Sequence, residues 1–193
     1  MIDYAFLQSL DFSVAWTYLP VLLAGLLTNI LLTGIGFLCG GVFVGTMLAV
    51  ANLSTSRLVR WPALAFVEFW RSTPLLVQAI WVHFAVPGLT GFSTTPFQSA
   101  SIALIFNVAA YCSEIVRGGI LGVGKGQFEA ARALGMHTYA TWRTVILPQA
   151  IRLMLGPLIG TIISIFKATA ILSVLAIDDL LRTTSRLSNF TFQ

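Results

Sequence analysis

A charge-free stretch near the amino terminus decides what this chain can fold into. No Asp, Glu, Lys or Arg occurs between Asp11 and Arg57, and the residues from Val21 to Ala51 are predominantly apolar. A helix needs about 20 such residues to cross the hydrocarbon core of a membrane. We therefore predict a first transmembrane helix over residues 21–51, which must tilt or protrude because it is longer than the core requires.

Three further apolar runs, at about residues 61–86, 99–116 and 153–177, are also long enough to cross a membrane. The chain is 57% hydrophobic and only 9% charged, which excludes a water-soluble globule. The sequence therefore predicts an all-α integral membrane protein, a helical bundle that forms a single transmembrane domain over residues 1–193. We attribute the net charge of +4 to cytoplasmic loops, not to a nucleic-acid partner.

Small residues and cysteines lie inside the apolar runs. Glycines at Gly36/Gly40 and Gly41/Gly45 have the Gly-x-x-x-Gly spacing that allows helices to approach closely, so we predict that this part of the first helix packs inside the bundle. The two cysteines, Cys39 and Cys112, have no Cys-x-x-Cys or histidine spacing around them. The sequence predicts neither a disulfide scaffold nor a metal site.

The loop charges predict an orientation in the membrane. Basic residues follow the first and third runs, whereas the loop from Pro87 to Phe97 carries no charge. Lys and Arg are retained on the cytoplasmic side, so we place the two basic loops there and the N-terminus outside. The tail after Ile177 would then also lie outside, so Arg182 and Arg186 in this tail depart modestly from the rule.

The long polar segment over residues 118–152 is too polar to span a membrane. Within it, Phe128 to Leu134 consists of good helix formers, with Glu129 in the first turn and Gly135 placed as a C-terminal stop. We predict a short surface helix whose alanines would let a groove of another protein approach its backbone. Glu129 and Arg132 would supply charge to fix the register of that contact.

Within this segment Glu129-Ala130-Ala131 is followed after three residues by Gly135, and after nine more by Val145-Ile146-Leu147-Pro148. This spacing resembles the EAA loop of ABC importer permeases. The flanking residues, and the run from Arg71 to Gln78, resemble the polar amino-acid branch of that family. The resemblance covers nearly the whole chain from about Gly25.

The resemblance implies the type I ABC importer transmembrane fold and a permease subunit in the inner (plasma) membrane that binds no cofactor itself. ATP and Mg would be bound by two separate ATP-binding subunits, and the chain has no Gly-rich loop ending in Gly-Lys-Ser/Thr. A solute-binding protein would deliver a polar amino acid, and a second copy or a sister permease would complete the pathway. The residues that the resemblance assigns to ATPase coupling are Gln127, Glu129, Ala130, Ala131, Arg132, Gly135, Leu147 and Pro148.

Ionisable groups inside the apolar runs need partners or water. Glu68 and Arg71 either form an ion pair within one helix, or Arg71, with Thr73 and Pro74, shapes a gate or kink. Lys167 either pairs across the bundle with Glu68 or Glu114, or faces an aqueous pathway. The candidate residues for a substrate pathway or gate are therefore Glu68, Arg71, Thr73, Pro74 and Lys167.

Other polar residues have structural roles in our interpretation. We expect Asp178-Asp179 to cap a helix start, although a role in receiving cationic groups stays open. Asn107 and Tyr111, one turn apart, more often join helices than line a transport path. His83 and His137 are solitary and enter no predicted site.

Two other function classes stay open at this level. A membrane-embedded enzyme would have to use Glu68, Glu114 or His83 as acid and base, and a passive channel would leave the Glu129 segment unexplained. Similar permeases have a fifth span after the fourth, so we expect that four spans are visible here and a fifth is missing. The sequence does not specify which amino acid is carried.

Overall fold

The computed structural model describes residues 16–191, and this part of the chain consists of helices joined by short turns. The helices are α1 Leu19–Asn52, α2 Arg57–Ser72, α3 Leu75–Thr90, α4 Pro96–Leu121, α5 Lys125–Ala133, α6 Thr138–Leu175 and α7 Leu180–Thr191. Helices α1, α4 and α6 are long and apolar enough to cross a membrane, and α2 with α3 makes a fourth crossing if the pair is counted as one. The predicted all-α bundle is confirmed. The predicted outside placement of the N-terminus concerns residues 1–15, which lie outside the described residues.

Helix α4 is the central element of the bundle. Its start is fixed by a capping box, in which Thr95 Oγ1 accepts from the Gln98 amide at 3.3 Å and Gln98 Oε1 accepts from the Thr95 amide at 3.0 Å. Pro96 follows at the first helical position, where its missing N–H costs nothing. Apolar residues of α4 then pack in the main core against residues of α1, α3 and α6, among them Leu104, Val108, Leu32, Ala79 and Leu172.

The glycines of α1 bring it into backbone contact with α4. A Cβ added to Gly40 would fall on the backbone of Ile105, and one added to Gly45 would lie 3.0 Å from the Cβ of Cys112. The predicted close packing of this segment is confirmed. Because the contact positions advance in the same direction along both helices, α1 and α4 run parallel.

The predicted second helix over residues 61–86 is wrong in one respect, because α2 and α3 meet at a bend of 105°. Pro74 has no N–H to continue the helix, and its ring disfavours the helical conformation in the residue before it. Thr73 is accordingly extended, with φ −102° and ψ 132°. The chain nevertheless crosses the bundle, since His83 near the end of α3 lies 2.9 Å from Ser99 at the start of α4.

The predicted loop over residues 118–152 is mostly helical. Helix α4 continues to Leu121, and α6 begins at Thr138, well before the predicted start near residue 153. Pro148 does not interrupt α6, because the turns just before it, Thr141–Ile146, wind more widely and accommodate the lost hydrogen bond. Only α5 and two short connections separate the two long helices.

The two ends of the bundle differ in charge. Because α4 and α1 are parallel, the first turn of α2, which carries Arg57 and Arg60, lies at the same end as α5 and the start of α6. We call this the basic end. At the opposite end, α7 packs on the first turns of α1, where a Cβ on Gly25 would lie 2.9 Å from the carbonyl oxygen of Asp179. The two basic loops predicted to share one side therefore do so.

Candidate functional site

Helix α5 is anchored on the first part of α6 by an apolar cluster at the basic end. Val123, Ile146, Ala150 and Met154 form the buried part of this cluster, and Phe128 packs against it. The Phe128 ring meets the Trp142 ring edge to face, with centroids 6.1 Å apart. Ala131, one turn after Phe128, is also buried. Helix α5 is thus packed against the first part of α6.

Gly135 ends α5 in the way its position in the sequence predicts. It adopts a left-handed conformation with φ +68°, its amide donates to Arg132 O at 2.9 Å, and the Met136 amide donates to Ala131 O at 3.0 Å. These two bonds form a Schellman motif, which requires a residue that tolerates positive φ. The predicted surface helix with its stop at Gly135 is confirmed, with bounds of Lys125–Ala133.

The predicted coupling residues divide between two faces of α5 and the neighbouring part of α6. Gln127 accepts a hydrogen bond of 3.1 Å from Gln149 of α6, while Ala131 is buried. The others are exposed on α5, in the turn after it or on α6: Glu129, Ala130, Arg132, Gly135, Leu147 and Pro148. Among residues 16–191 no charged side chain lies within ion-pair distance of Glu129 or Arg132. This face of α5 is small, polar and unpaired.

A second feature is a half-open cavity of about 730 Å³ at the break between α2 and α3. The break supplies Arg71, Thr73 and Pro74, three of the predicted pathway residues. Helices α4 and α6 complete the walls with Asn107, Tyr111, Gly160, Thr161 and Ser164, among others. Its polar lining consists of hydroxyl and amide groups and one guanidinium, and no carboxylate of residues 16–191 lines it.

Arg71 forms the ion pair with Glu68 that was one of the two alternatives, while its role in shaping a gate or kink stays a prediction. Its guanidinium lies 3.9 Å from the Glu68 carboxylate, a long ion pair, and 5.7 Å from the centroid of the Tyr111 ring. It also lines the cavity, whereas Glu68 is mostly exposed and does not. Glu114 is held elsewhere, because Arg117 donates two hydrogen bonds to it, at 2.7 and 3.1 Å.

Lys167 does not form either predicted ion pair. Within the described part of the chain no carboxylate lies within 4 Å of its ammonium group, so pairing with Glu68 or Glu114 is wrong. The side chain is exposed, and it does not line the cavity although its neighbour Ala168 does. Its facing an aqueous pathway stays a prediction.

Two amide side chains beside the cavity are more important than the sequence indicated. Gln78, only 3% exposed, donates from Nε2 to Trp70 O at 2.7 Å and to Thr73 O at 2.9 Å. Asn107 donates from Nδ2 to Gln78 Oε1 at 3.0 Å, so it joins helices as predicted and lines the cavity as well. The sequence signal that could have pointed to Gln78 is its position as a glutamine in an apolar run, one helical turn after Pro74.

Several other polar residues within residues 16–191 make local hydrogen bonds. His83 bonds Ser99, and His137 accepts from the Ala140 amide at 3.2 Å at the start of α6. Asp179 caps α7 by accepting from the Arg182 amide at 2.8 Å, which confirms the predicted capping role. No cluster of three or more metal-ligating side chains occurs within residues 16–191.

A family profile and several curated relatives match most of this chain. The sequence profile of the family described as "Binding-protein-dependent transport system inner membrane component" matches residues 41–193. The arginine transport system permease protein ArtQ of Bacillus subtilis (strain 168) is 35% identical over 175 residues, 91% of this chain and 80% of ArtQ. The glutamine transport system permease protein GlnP of Escherichia coli (strain K12) is 35% identical over 173 residues, 89% of this chain and 78% of GlnP.

Solved structures agree on the fold. A chain of a crystal structure described as an amino acid ABC transporter with histidines superposes with a TM-score of 0.87 at 34% identity, covering 96% of this chain and 86% of that one. A chain of the MetNI methionine ABC transporter in an inward-facing conformation superposes with a TM-score of 0.71 at 20% identity, covering 95% and 86%. The second likeness concerns the fold alone.

Proposed function

We propose that this chain, which belongs to the family of binding-protein-dependent transport system inner membrane components, is the permease subunit of an ATP-driven ABC importer for a polar amino acid. Two ATP-binding subunits carry ATP and Mg and hydrolyse the nucleotide. A solute-binding protein delivers the amino acid, and a second copy of this chain or a sister permease completes the pathway. The names of the relatives ArtQ and GlnP support an amino acid as the substrate.

The observation that carries this proposal is the construction of α5. Its exposed face presents Ala130, Ala133 and the unpaired charges of Glu129 and Arg132, while Phe128 on its other face packs against α6 and Ala131 is buried. A small-residue face allows close approach by a groove of the ATP-binding subunit, and the two charges fix the register. We infer that the exposed face is the docking surface.

Helix α6 connects this surface to the cavity. It is continuous from Thr138 to Leu175, so one element carries Trp142 beneath α5 and Ser164 in the cavity wall. Nucleotide-driven closure of the ATP-binding subunits displaces α5, and α6 carries that displacement to the cavity. Movement of packed elements about an interface is a common switching transition in proteins.

The cavity suits the amino-acid backbone as a ligand. The Arg71 guanidinium is placed to pair with a carboxylate, and hydroxyl and amide groups such as Thr73 and Asn107 accept or donate hydrogen bonds. We propose that the amino acid passes through this cavity.

The charge of the two ends supports an orientation. With the basic end in the cytoplasm, α5 faces the ATP-binding subunits and the N-terminus lies outside. The end that carries Asp178 and α7 then faces the solute-binding protein.

ATP-dependent uptake by the reconstituted complex tests the proposal. We would measure uptake of polar amino acids into proteoliposomes that contain the chain, its ATP-binding subunit and the binding protein, for wild type and Glu129→Lys. The expected result is uptake that requires ATP and is lost in Glu129→Lys. The matched control is Lys125→Glu, which also reverses a charge but lies before this face, and uptake should be retained in it. Flux without ATP would indicate a channel, chemical alteration of the substrate would indicate an enzyme, and either result would overturn the proposal.

A further inference from the structure

The break between α2 and α3 leaves backbone carbonyls that need donors. In a continuous helix the carbonyl of Trp70 would accept from the amide of residue 74, but that residue is a proline and has no N–H. The carbonyl of Thr73 lies inside the extended break. Unpaired backbone groups are especially costly in a membrane, where no water reaches them.

The side chain of Gln78 supplies the missing donors. Its Nε2 carries two hydrogens, and it donates one bond of 2.7 Å to Trp70 O and one of 2.9 Å to Thr73 O. One amide thus bonds the last part of α2 and the break itself, from a position within α3. The side chain is buried, so water does not compete for these bonds.

Asn107 fixes the orientation of that amide. Its Nδ2 donates to Gln78 Oε1 at 3.0 Å, which leaves the Nε2 of Gln78 directed at the two carbonyls. Asn107 belongs to α4 and lines the cavity, whereas Gln78 does not line it. This pair of amides therefore connects the break to the part of the cavity wall that α4 supplies.

We propose that Gln78 is a positioning residue: its amide holds the break between α2 and α3 in one fixed bend and, through Asn107, ties that bend to the wall of the cavity. The proposal rests on the proposed function, since it takes the cavity as the transport path. Gln78 touches no substrate in this account. It keeps Arg71, near the end of α2, and Thr73, in the break itself, in place at the cavity wall.

The shape of the break can be measured without any substrate. Spin labels would be attached at Leu58→Cys near the start of α2 and at Leu89→Cys near the end of α3, both of which are exposed. Cys39 is exposed and would be changed to serine, whereas the fully buried Cys112 can stay. The complex with the ATP-binding subunit would contain excess unlabelled chain, so that each assembly carries one labelled copy at most.

We expect a single narrow distance distribution for the otherwise wild-type chain. Gln78→Leu removes all three hydrogen bonds at similar volume and should at least double the width, whereas Asn107→Ala removes only the tie to α4 and should broaden it less. The double variant should match Gln78→Leu alone, because Asn107 acts on the break through Gln78. The matched control is Val77→Leu, at the exposed neighbouring position, which should keep the wild-type width.

Transport supplies the second readout. In proteoliposomes Gln78→Leu should lower the maximal uptake rate at least tenfold, with the half-saturating concentration of loaded binding protein unchanged. A wild-type distance distribution in Gln78→Leu, or effects of the two single variants that simply add, would overturn the proposal. Because the distance measurement needs no transport, failure of the amino-acid assignment would show as absent uptake in wild type while the broadening in Gln78→Leu persists.

Discussion

Replacement of Gly135 by valine tests whether the end of α5 matters for docking. Gly135 has φ +68°, a conformation that costs an L-residue about 1–2 kcal/mol, and β-branched residues suffer most from it. The alternative is to unwind the last turn, which loses the two Schellman bonds, each worth about 0.5–1.5 kcal/mol. The strain of about 1–2 kcal/mol in the native conformation shifts the equilibrium between the native and the unwound end of α5 by about 5–30-fold.

The expected result is a weaker complex. If only the native end of α5 docks, the apparent Kd for the ATP-binding subunit rises by up to the same factor. We would measure it by titrating the ATP-binding subunit onto the chain in lipid nanodiscs. Gly135→Asn should lie between wild type and Gly135→Val, because asparagine tolerates the left-handed region.

Gly91 provides the matched control. It also has positive φ, +75°, and a Cβ at either glycine would meet no atom within 4 Å, so steric clash does not distinguish them. Gly91 follows α3 at the end of the bundle opposite to α5. Gly91→Val should keep the wild-type Kd. A wild-type Kd for Gly135→Val, or an equal loss for Gly91→Val, would refute the reasoning.

Three further variants separate packing, coupling and folding. Gly40→Val should lower the melting temperature of the purified chain, because the atoms that obstruct the new side chain belong to the backbone of Ile105 and overpacking costs about 1–3 kcal/mol or more. Gly34→Val, with open space around it, should leave the melting temperature unchanged. Phe128→Ala should lower the free energy of unfolding by about 2 kcal/mol, roughly half the ~3–5 kcal/mol lost when a fully buried phenylalanine is truncated. It should also lower uptake more than it lowers ATP hydrolysis. Equal losses of the two activities would argue against a coupling role. Thr95→Ala removes the cap of α4 and should lower the free energy of unfolding by about 1 kcal/mol, measured by thermal unfolding, while uptake per folded complex stays unchanged. An unchanged melting temperature would contradict the capping argument.

Features governed by local chemistry could be predicted from the sequence. The small residues of α1 indicated close packing because only glycine allows the backbone contact seen at Gly40. The stop at Gly135 followed from the preference of helix ends for a residue that tolerates positive φ. The long apolar runs predicted the spanning helices because a helix needs about 20 apolar residues to cross the hydrocarbon core.

Features that depend on tertiary contacts were missed or assigned incorrectly. Pro74 indicated a kink, but the 105° bend depends on the bonds that Gln78 makes across the break. The polarity of residues 118–152 suggested a loop, yet α6 begins at Thr138 and continues through Pro148, because the turns before this proline wind more widely. The alternatives for Lys167 and Arg71 could not be separated, because hydropathy does not specify which face of a helix meets a neighbour.

Photo-cross-linking from α5 tests the central claim most directly. A photo-reactive amino acid would replace Ala130, on the exposed face of α5, or Thr90, exposed at the end of α3, and the complex would be irradiated in native membranes. The account predicts a covalent adduct with the ATP-binding subunit from position 130 and none from position 90. An adduct with the ATP-binding subunit from position 90, and none from position 130, would contradict it.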